Sequence, residues 1–216
     1  MGCTQVRLVV GGYRGRTHID TCMASIRDHV TGITDVVLID DSNNRDHTNH
    51  WSQYGTVIEG HGRGYAHTMQ LACTVMAGDY TLFVEEDFQF IADVDLKELT
   101  DILDTERDLA QIALLRDPFY DYETDGVLEG LEVCRQRLEA LGKHRVIEDR
   151  GDHIAQDLVH TTNPAVWRRE AWLDGWPQQP DSERVKSTQL RQQGWKFGWM
   201  KTQTLLHTGQ HEGTGY

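Results

Sequence analysis

The sequence predicts an α/β fold, a mixed and mostly parallel sheet flanked by helices, in a single domain spanning residues 1–216. Three observations predict it. Short apolar runs rich in β-branched residues alternate with segments whose apolar residues recur at helical spacing, the signature of successive βαβ units. Acidic clusters follow two of the runs directly, where a parallel sheet places its functional loops. The composition, 38% hydrophobic and 25% charged, is that of an ordinary globular chain, and 216 residues suffice for one sizeable core.

The elements follow in order. Val6 to Val10 reads as the first strand, ended by the flexible pair Gly11-Gly12, with Tyr13 to Arg16 as a loop. From Thr17, an expected N-cap, Ile19, Cys22, Met23 and Ile26 recur with helical period. Val36 to Ile39 is a strand that stops at Asp40-Asp41-Ser42-Asn43-Asn44, a cluster too rich in turn formers to continue a sheet. Thr56 to Ile58 is a further short strand. After Gly60-His61-Gly62-Arg63-Gly64, the segment Tyr65 to Met76 is helical through Met69, Ala72, Cys73 and Met76. Tyr80 to Val84 is an apolar run that reads as a central buried strand.

The second half is less regular. It predicts a helix near Leu96 to Leu103, a strand at Ile112 to Leu115 and a helix near Leu128 to Leu141. Ala165 to Leu173 and Glu183 to Gln193 read as helices, and Gln203 to Leu206 as a strand before a Gly-rich tail carrying His207 and His211. There is no internal repeat and no Pro- or Ser-rich linker.

A net charge of −13 works against non-specific attraction to nucleic acid or to an anionic membrane. Cys3, Cys22, Cys73 and Cys134 are scattered without a C-x-x-C pair, so neither a zinc ribbon nor a disulfide scaffold is expected. The start MGCTQVRLVV lacks the features of a signal peptide, and no run is long enough to span a bilayer, which predicts a cytoplasmic protein. The remaining histidines form no H-E-x-x-H pattern, and neither G-x-S-x-G nor a P-loop occurs.

Glu85-Glu86-Asp87, emerging directly from the apolar strand, is the strongest chemical signal, because clustered oxygen ligands at a strand end suit Mg²⁺ or Mn²⁺, with phosphates completing the coordination. A solvated acidic turn is the plain alternative for such a triplet.

Here the chain resembles the GT-A glycosyltransferases, in which a short acidic motif of the D-x-D kind ends a central strand and binds the metal and diphosphate of a nucleotide-sugar donor. The chain departs from that motif in carrying Glu85-Glu86-Asp87. The resemblance makes Asp87 the metal ligand and gives Glu85 to the ribose or to a metal-bound water, with Glu86 beside it. Val6 to Gly12 with Tyr13 and Arg14 resembles the family's first strand and nucleotide-binding loop. Val36 to Asp41 resembles its second strand, with Asp40 or Asp41 on the nucleoside. Gly62 and Arg63, opening a helix with Gly64, suit close approach to the diphosphate.

By the same resemblance residues 1 to about 110 form the nucleotide-sugar-binding half and about 111 to 216 the acceptor-side half. His207, with His211 as the other candidate, would complete the site of Mn²⁺ or Mg²⁺. Glu183, in Pro180-Asp181-Ser182-Glu183, resembles the catalytic base of inverting members; Asp181 is the near alternative, and helix capping the plain one. Asn163-Pro164 with Trp167 to Glu170 resembles the acceptor-side segment. The implied donor is a UDP-sugar. The acceptor is open between protein, glycan, lipid-linked sugar and modified nucleobase, the last through a patch of Arg116, Arg135, Arg137, Lys143, Arg145 and Arg150. A nucleotidyltransferase, another nucleotide-binding α/β enzyme and a non-catalytic sugar-binding module are the rival readings. Gly12-Tyr13-Arg14-Gly15 lacks the full G-x-G-x-x-G of a dinucleotide site.

Overall fold

The computed structural model describes residues 6–13, 16–118 and 127–209. The first half is a run of parallel strands with helical crossovers. β1 (Val6–Gly12) leads to α1 (Arg16–His29), which begins one residue before the expected cap Thr17; β2 (Val30–Thr31) and β3 (Ile33–Asp40) follow. A helix the sequence did not announce, α2 (Arg45–Trp51), is started by Asn44, whose side chain accepts the Asp46 amide. β4 (Thr56–Glu59), α3 (Tyr65–Val75), β5 (Tyr80–Glu85), β6 (Phe88–Phe90), β7 (Val94–Asp95) and α4 (Leu96–Thr105) complete this half.

The second half holds β8 (Leu109–Arg116), α5 (Val127–Ala140), β9 (Ile147–Asp149), β10 (His153–Gln156), β11 (Ala165–Arg168), α6 (Arg169–Trp172), α7 (Ser182–Gln192) and β12 (Lys196–His207). The main sheet runs β4-β3-β1-β5-β11-β8-β12-β10-β9, with β6 on β12, and among the described residues β2 and β7 form a separate pair. β4, β3, β1 and β5 are mutually parallel and β8 is parallel to β12, while β11 is antiparallel to both its neighbours. This is the glycosyltransferase-like α/β architecture that the sequence predicts.

The sheet is covered on both faces, which is why its strands read as continuous apolar runs. Along β1, Val6, Leu8 and Val10 enter one core with Ile19, Cys22 and Ile26 of α1 and Leu96, Leu99 and Leu103 of α4, whereas Val9 enters the other with Met69 and Ala72 of α3 and Leu190 of α7. The period of two along the strand sends neighbouring residues to opposite layers. Cys22 is buried and Cys73 and Cys134 are half-buried, and all three are free thiols.

One expected element is wrong. Ala165 to Leu173 is not a single helix: Ala165–Arg168 is the buried strand β11, and only Arg169–Trp172 is helical. The gap between β5 and β8 demands a strand, and Val166 and Trp167 are good strand formers on a fully buried surface. Trp167, Trp172 and Trp176 stack in series, with ring centroids 4.0 and 5.1 Å apart, and Phe83 lies 4.8 Å from Trp167. All three tryptophans are buried, so their faces pack the core and stack on no sugar.

His160 is buried against Trp172, Trp176 and Phe197, and among the described residues neither ring nitrogen has a hydrogen-bond partner. Burial, helped by the charges of Lys186 and Arg191, lowers its pKa to about 3. The native state therefore holds a neutral ring that the unfolded chain protonates near the ordinary value of about 6.5. Stability is full above that value and is lost as pH falls from it toward about 3. His160→Phe is expected to flatten the fall in the urea midpoint between pH 7 and pH 5 relative to the unaltered chain. Parallel pH dependence in the two proteins would exclude this histidine as the source.

Candidate active site

The carboxyl ends of three adjacent strands meet at one edge. Gly12 of β1 lies opposite Asp40 of β3, and Gly11 opposite Glu85 of β5. Each ladder extends by one more bond: the Asp41 amide donates to the Gly12 carbonyl at 2.8 Å and the Glu86 amide to the Gly11 carbonyl at 3.1 Å. The two acidic clusters, 45 residues apart in the sequence from Asp41 to Glu86, thus flank the end of β1.

Most of these carboxylates hold loops. Glu86, buried, accepts the Tyr13 amide at 2.9 Å, and its carboxylate fills the space where a Cβ on Gly12 would stand, 1.8 Å from Oε2. Gly12 is therefore required by the grip of Glu86 on the loop after β1. Asp41, also buried, accepts the amides of Arg63 at 2.9 Å and Gly64 at 2.7 Å. That clamp fixes the turn in which His61, Gly62 and Gly64 all adopt positive φ, at 62°, 66° and 86°. Asp40 accepts the Ser42 amide and the Thr48 hydroxyl at 2.9 and 2.7 Å. Buried carboxylates that accept backbone amides hold the loops they bond.

Asp87 is different. The amide and hydroxyl of Thr208 both donate to its backbone carbonyl at 2.8 Å, leaving its side chain to meet His207, whose Nε2 is 3.2 Å from Oδ2. The His207 ring stacks on Phe88, centroids 4.5 Å apart and planes 7° from parallel, and its Nδ1 receives a hydrogen bond from Arg116 at 2.8 Å. The His207 amide donates to Asp117 at 2.7 Å. Among the described residues no three His, Cys, Asp or Glu side chains are grouped to hold a metal ion. A carboxylate with one or two neighbours, completed by substrate phosphates, is nonetheless the usual site of Mg²⁺-type ions, so the donor chemistry at Asp87 fits an ion shared with a diphosphate.

A cleft of about 420 Å³ lies alongside, lined by Arg63, Gly64, Tyr65, Gln179, Asp181 and Glu183. Its two walls are the start of α3 and the start of α7. Glu183 accepts the Thr162 amide at 3.1 Å and lies 3.4 Å from its hydroxyl, which itself receives the Tyr65 hydroxyl at 2.9 Å. Asp181, in the left-handed region with φ of 54°, makes no capping bond to α7. Glu183 also lies in the first turn of α7, where its charge suits the helix start. Burial raises its pKa, an effect opposed by the Thr162 bonds and by the charge of Arg116.

The fold thus brings Gly12, Tyr13, Asp40, Asp41, Glu85, Glu86, Asp87 and His207 to one edge, and Gly62 and Arg63 to the turn that joins this edge to the Glu183 cleft. Arg14 and His211 lie outside the described residues. Three of the six cations read as a patch have local surroundings of their own. Arg116 is buried, Arg135 pairs with Glu132 and Glu139, and Arg150 pairs with Glu106, Asp108 and Glu148. Arg116 is the site residue that sequence reasoning misplaced. Its signal was its position as the last residue of an apolar strand, the same signal that exposed Glu85 to Asp87.

The fold is glycosyltransferase-like. The solved structures that match include the mannosyltransferase PcManGT from Pyrobaculum calidifontis in complex with GDP-Man and Mn²⁺, with a TM-score of 0.66 and 14% identity over 96% of this chain. The match covers 58% of that protein's chain. No protein-family model matches the sequence, and no curated protein does. Among the described residues no helix is long and apolar enough to cross a membrane.

Proposed function

We propose that this chain transfers a glycosyl group from a nucleotide-sugar donor to an acceptor hydroxyl, with a divalent ion held at Asp87 and Glu183 as base. The observation that carries the proposal is the bond of Arg116 to His207, the neighbour of Asp87, together with the action of its charge on Glu183, which supports an ion site and a base serving one space. The likeness to a structure holding GDP-Man and Mn²⁺ supports the donor class. GDP-linked mannose therefore joins UDP-sugars among the donors to test.

In this reading the nucleotide lies over the ends of β1 and β3, on loops made rigid by Glu86, Asp40 and Asp41. Arg63 and the open start of α3 face the diphosphate, where a cation and helix amides favour negative charge. Mn²⁺ or Mg²⁺, when bound, would offset the charge that develops on the leaving diphosphate. Glu183 accepts the proton of the acceptor hydroxyl as its oxygen bonds to the anomeric carbon; the bond from that carbon to the diphosphate oxygen breaks, and its electron pair leaves with the diphosphate. Attack from the side opposite the leaving group inverts the anomeric centre. Partial burial raises the basicity of Glu183 toward the working pH, which suits a general base.

A thermal-shift panel of UDP- and GDP-sugars with Mn²⁺ or Mg²⁺ tests the donor class, since a ligand of the native state raises the melting temperature according to its affinity. At least one nucleotide sugar is expected to stabilise the chain more with the ion than without it. Indifference to every donor, with and without metal, would refute the reading.

A further inference from the structure

We infer that His207 is not a ligand of the divalent ion but a positioning residue that aims Asp87, and that Arg116 assigns it that role. The inference rests on the glycosyl-transfer reading of Asp87 and deepens it. A guanidinium only donates, so the contact of Arg116 with Nδ1 at 2.8 Å makes that nitrogen an acceptor. The ring proton then sits on Nε2, the nitrogen 3.2 Å from Asp87 Oδ2, and is donated to the carboxylate. An imidazole ligating through Nε2 needs its lone pair there and its proton on Nδ1, which would face the donors of Arg116. Ligating histidines ordinarily turn the other nitrogen toward an acceptor, and here it meets the opposite.

The ring has little freedom to escape this arrangement. Phe88 covers one face in near-parallel stacking, the backbone of His207 is paired with Phe88 in the β6–β12 ladder, and its amide is held by Asp117. Arg116 is buried at the end of β8, which limits any swing away from His207. One oxygen of Asp87 is thus occupied by a fixed N–H donor, which orients the carboxylate toward the ion. Among the described residues Asp87 would be the carboxylate so aimed, with the donor's phosphates and water completing the coordination.

Two measurements on the full chain test this. In metal-free protein, nitrogen-15 NMR of His207 is expected to show an unprotonated Nδ1 and a protonated Nε2. With Mn²⁺ and GDP or UDP bound, electron spin-echo spectroscopy is expected to show no directly coordinated imidazole nitrogen. His207→Gln, which keeps an N–H donor near the position of Nε2, should retain Mn²⁺ affinity within about threefold, whereas His207→Ala should lose about 10- to 100-fold, the range for an outer-sphere partner. A nitrogen coupling in the unaltered chain that disappears in His207→Gln, or the Nδ1–H tautomer, would overturn the inference alone. Failure of the unaltered chain to bind Mn²⁺ with either nucleotide would overturn the glycosyl-transfer reading and this inference with it.

Discussion

Asp87→Ala is expected to abolish Mn²⁺-supported binding of a nucleoside diphosphate, weakening it by more than about 100-fold, beyond the loss typical of an outer-sphere partner. The fold should survive. The two bonds from Thr208 go to the backbone carbonyl of Asp87, and the β6–β12 pairing beside it uses backbone alone, so the substitution leaves both in place. What it removes is the carboxylate that follows β5 and is proposed to hold the ion. Calorimetric titration of GDP and UDP in the presence of Mn²⁺ measures the change. Affinity equal to that of the unaltered chain would show that the ion is held elsewhere.

Glu183→Gln should leave donor binding intact while lowering glycosyl transfer about 100-fold or more, the usual scale for loss of a general base. Glutamine keeps an oxygen to accept the Thr162 amide, so the cleft is preserved. The pH dependence carries the second signature. Partial burial raises the pKa of this carboxyl above the ordinary glutamate value of about 4.3. Activity should therefore climb with pH through a limb lying above that value, and the glutamine variant should lack the limb. The linkage to stability has a definite sign: a carboxyl whose folded pKa is raised binds protons more tightly when folded, so its contribution is favourable at low pH and is lost as pH rises through the folded value. At neutral pH the neutral amide is accordingly expected to match or exceed the native side chain in stability. A stable variant with near-normal turnover would exclude Glu183 as the base.

The first half of the fold was legible because its strands carry their own punctuation. Val6 to Val10 and Tyr80 to Val84 are mostly apolar and end in glycines or carboxylates, so strand, loop and chemistry coincide locally. α2 was invisible since RDHTNHW contains one large apolar residue, Trp51, and one residue has no period. The strand Ala165–Arg168 resembled a helix start because so short an apolar run fits either state, and only its two strand neighbours decide the matter. β12 was seen only at its end, as its exposed stretch Lys201 to Gln203 interrupts the pattern between two buried segments.

The site divides in the same way. Asp87 and Glu183 are visible as carboxylates that follow a strand or open a helix. The duties of their neighbours depend on residues remote in sequence. Asp41, expected to meet the nucleoside, also accepts the amides of Arg63 and Gly64, 22 and 23 residues on. Arg116 counted as one cation among six, until its contact with His207, 91 residues later, placed it beside Asp87's neighbour. Side-chain partners at such separations leave no local pattern to read.

The central claim, transfer from a nucleotide sugar at the edge formed by β1, β3 and β5, is tested most directly by release of nucleoside diphosphate. The full chain, incubated with GDP-mannose and a set of UDP-sugars with Mn²⁺ or with a chelator, should liberate GDP or UDP from at least one donor. That release should require the ion and should fall together with transfer in Asp87→Ala and Glu183→Gln. Release that persists unchanged in the chelator and in both variants, or no release from any donor across the set, would contradict it.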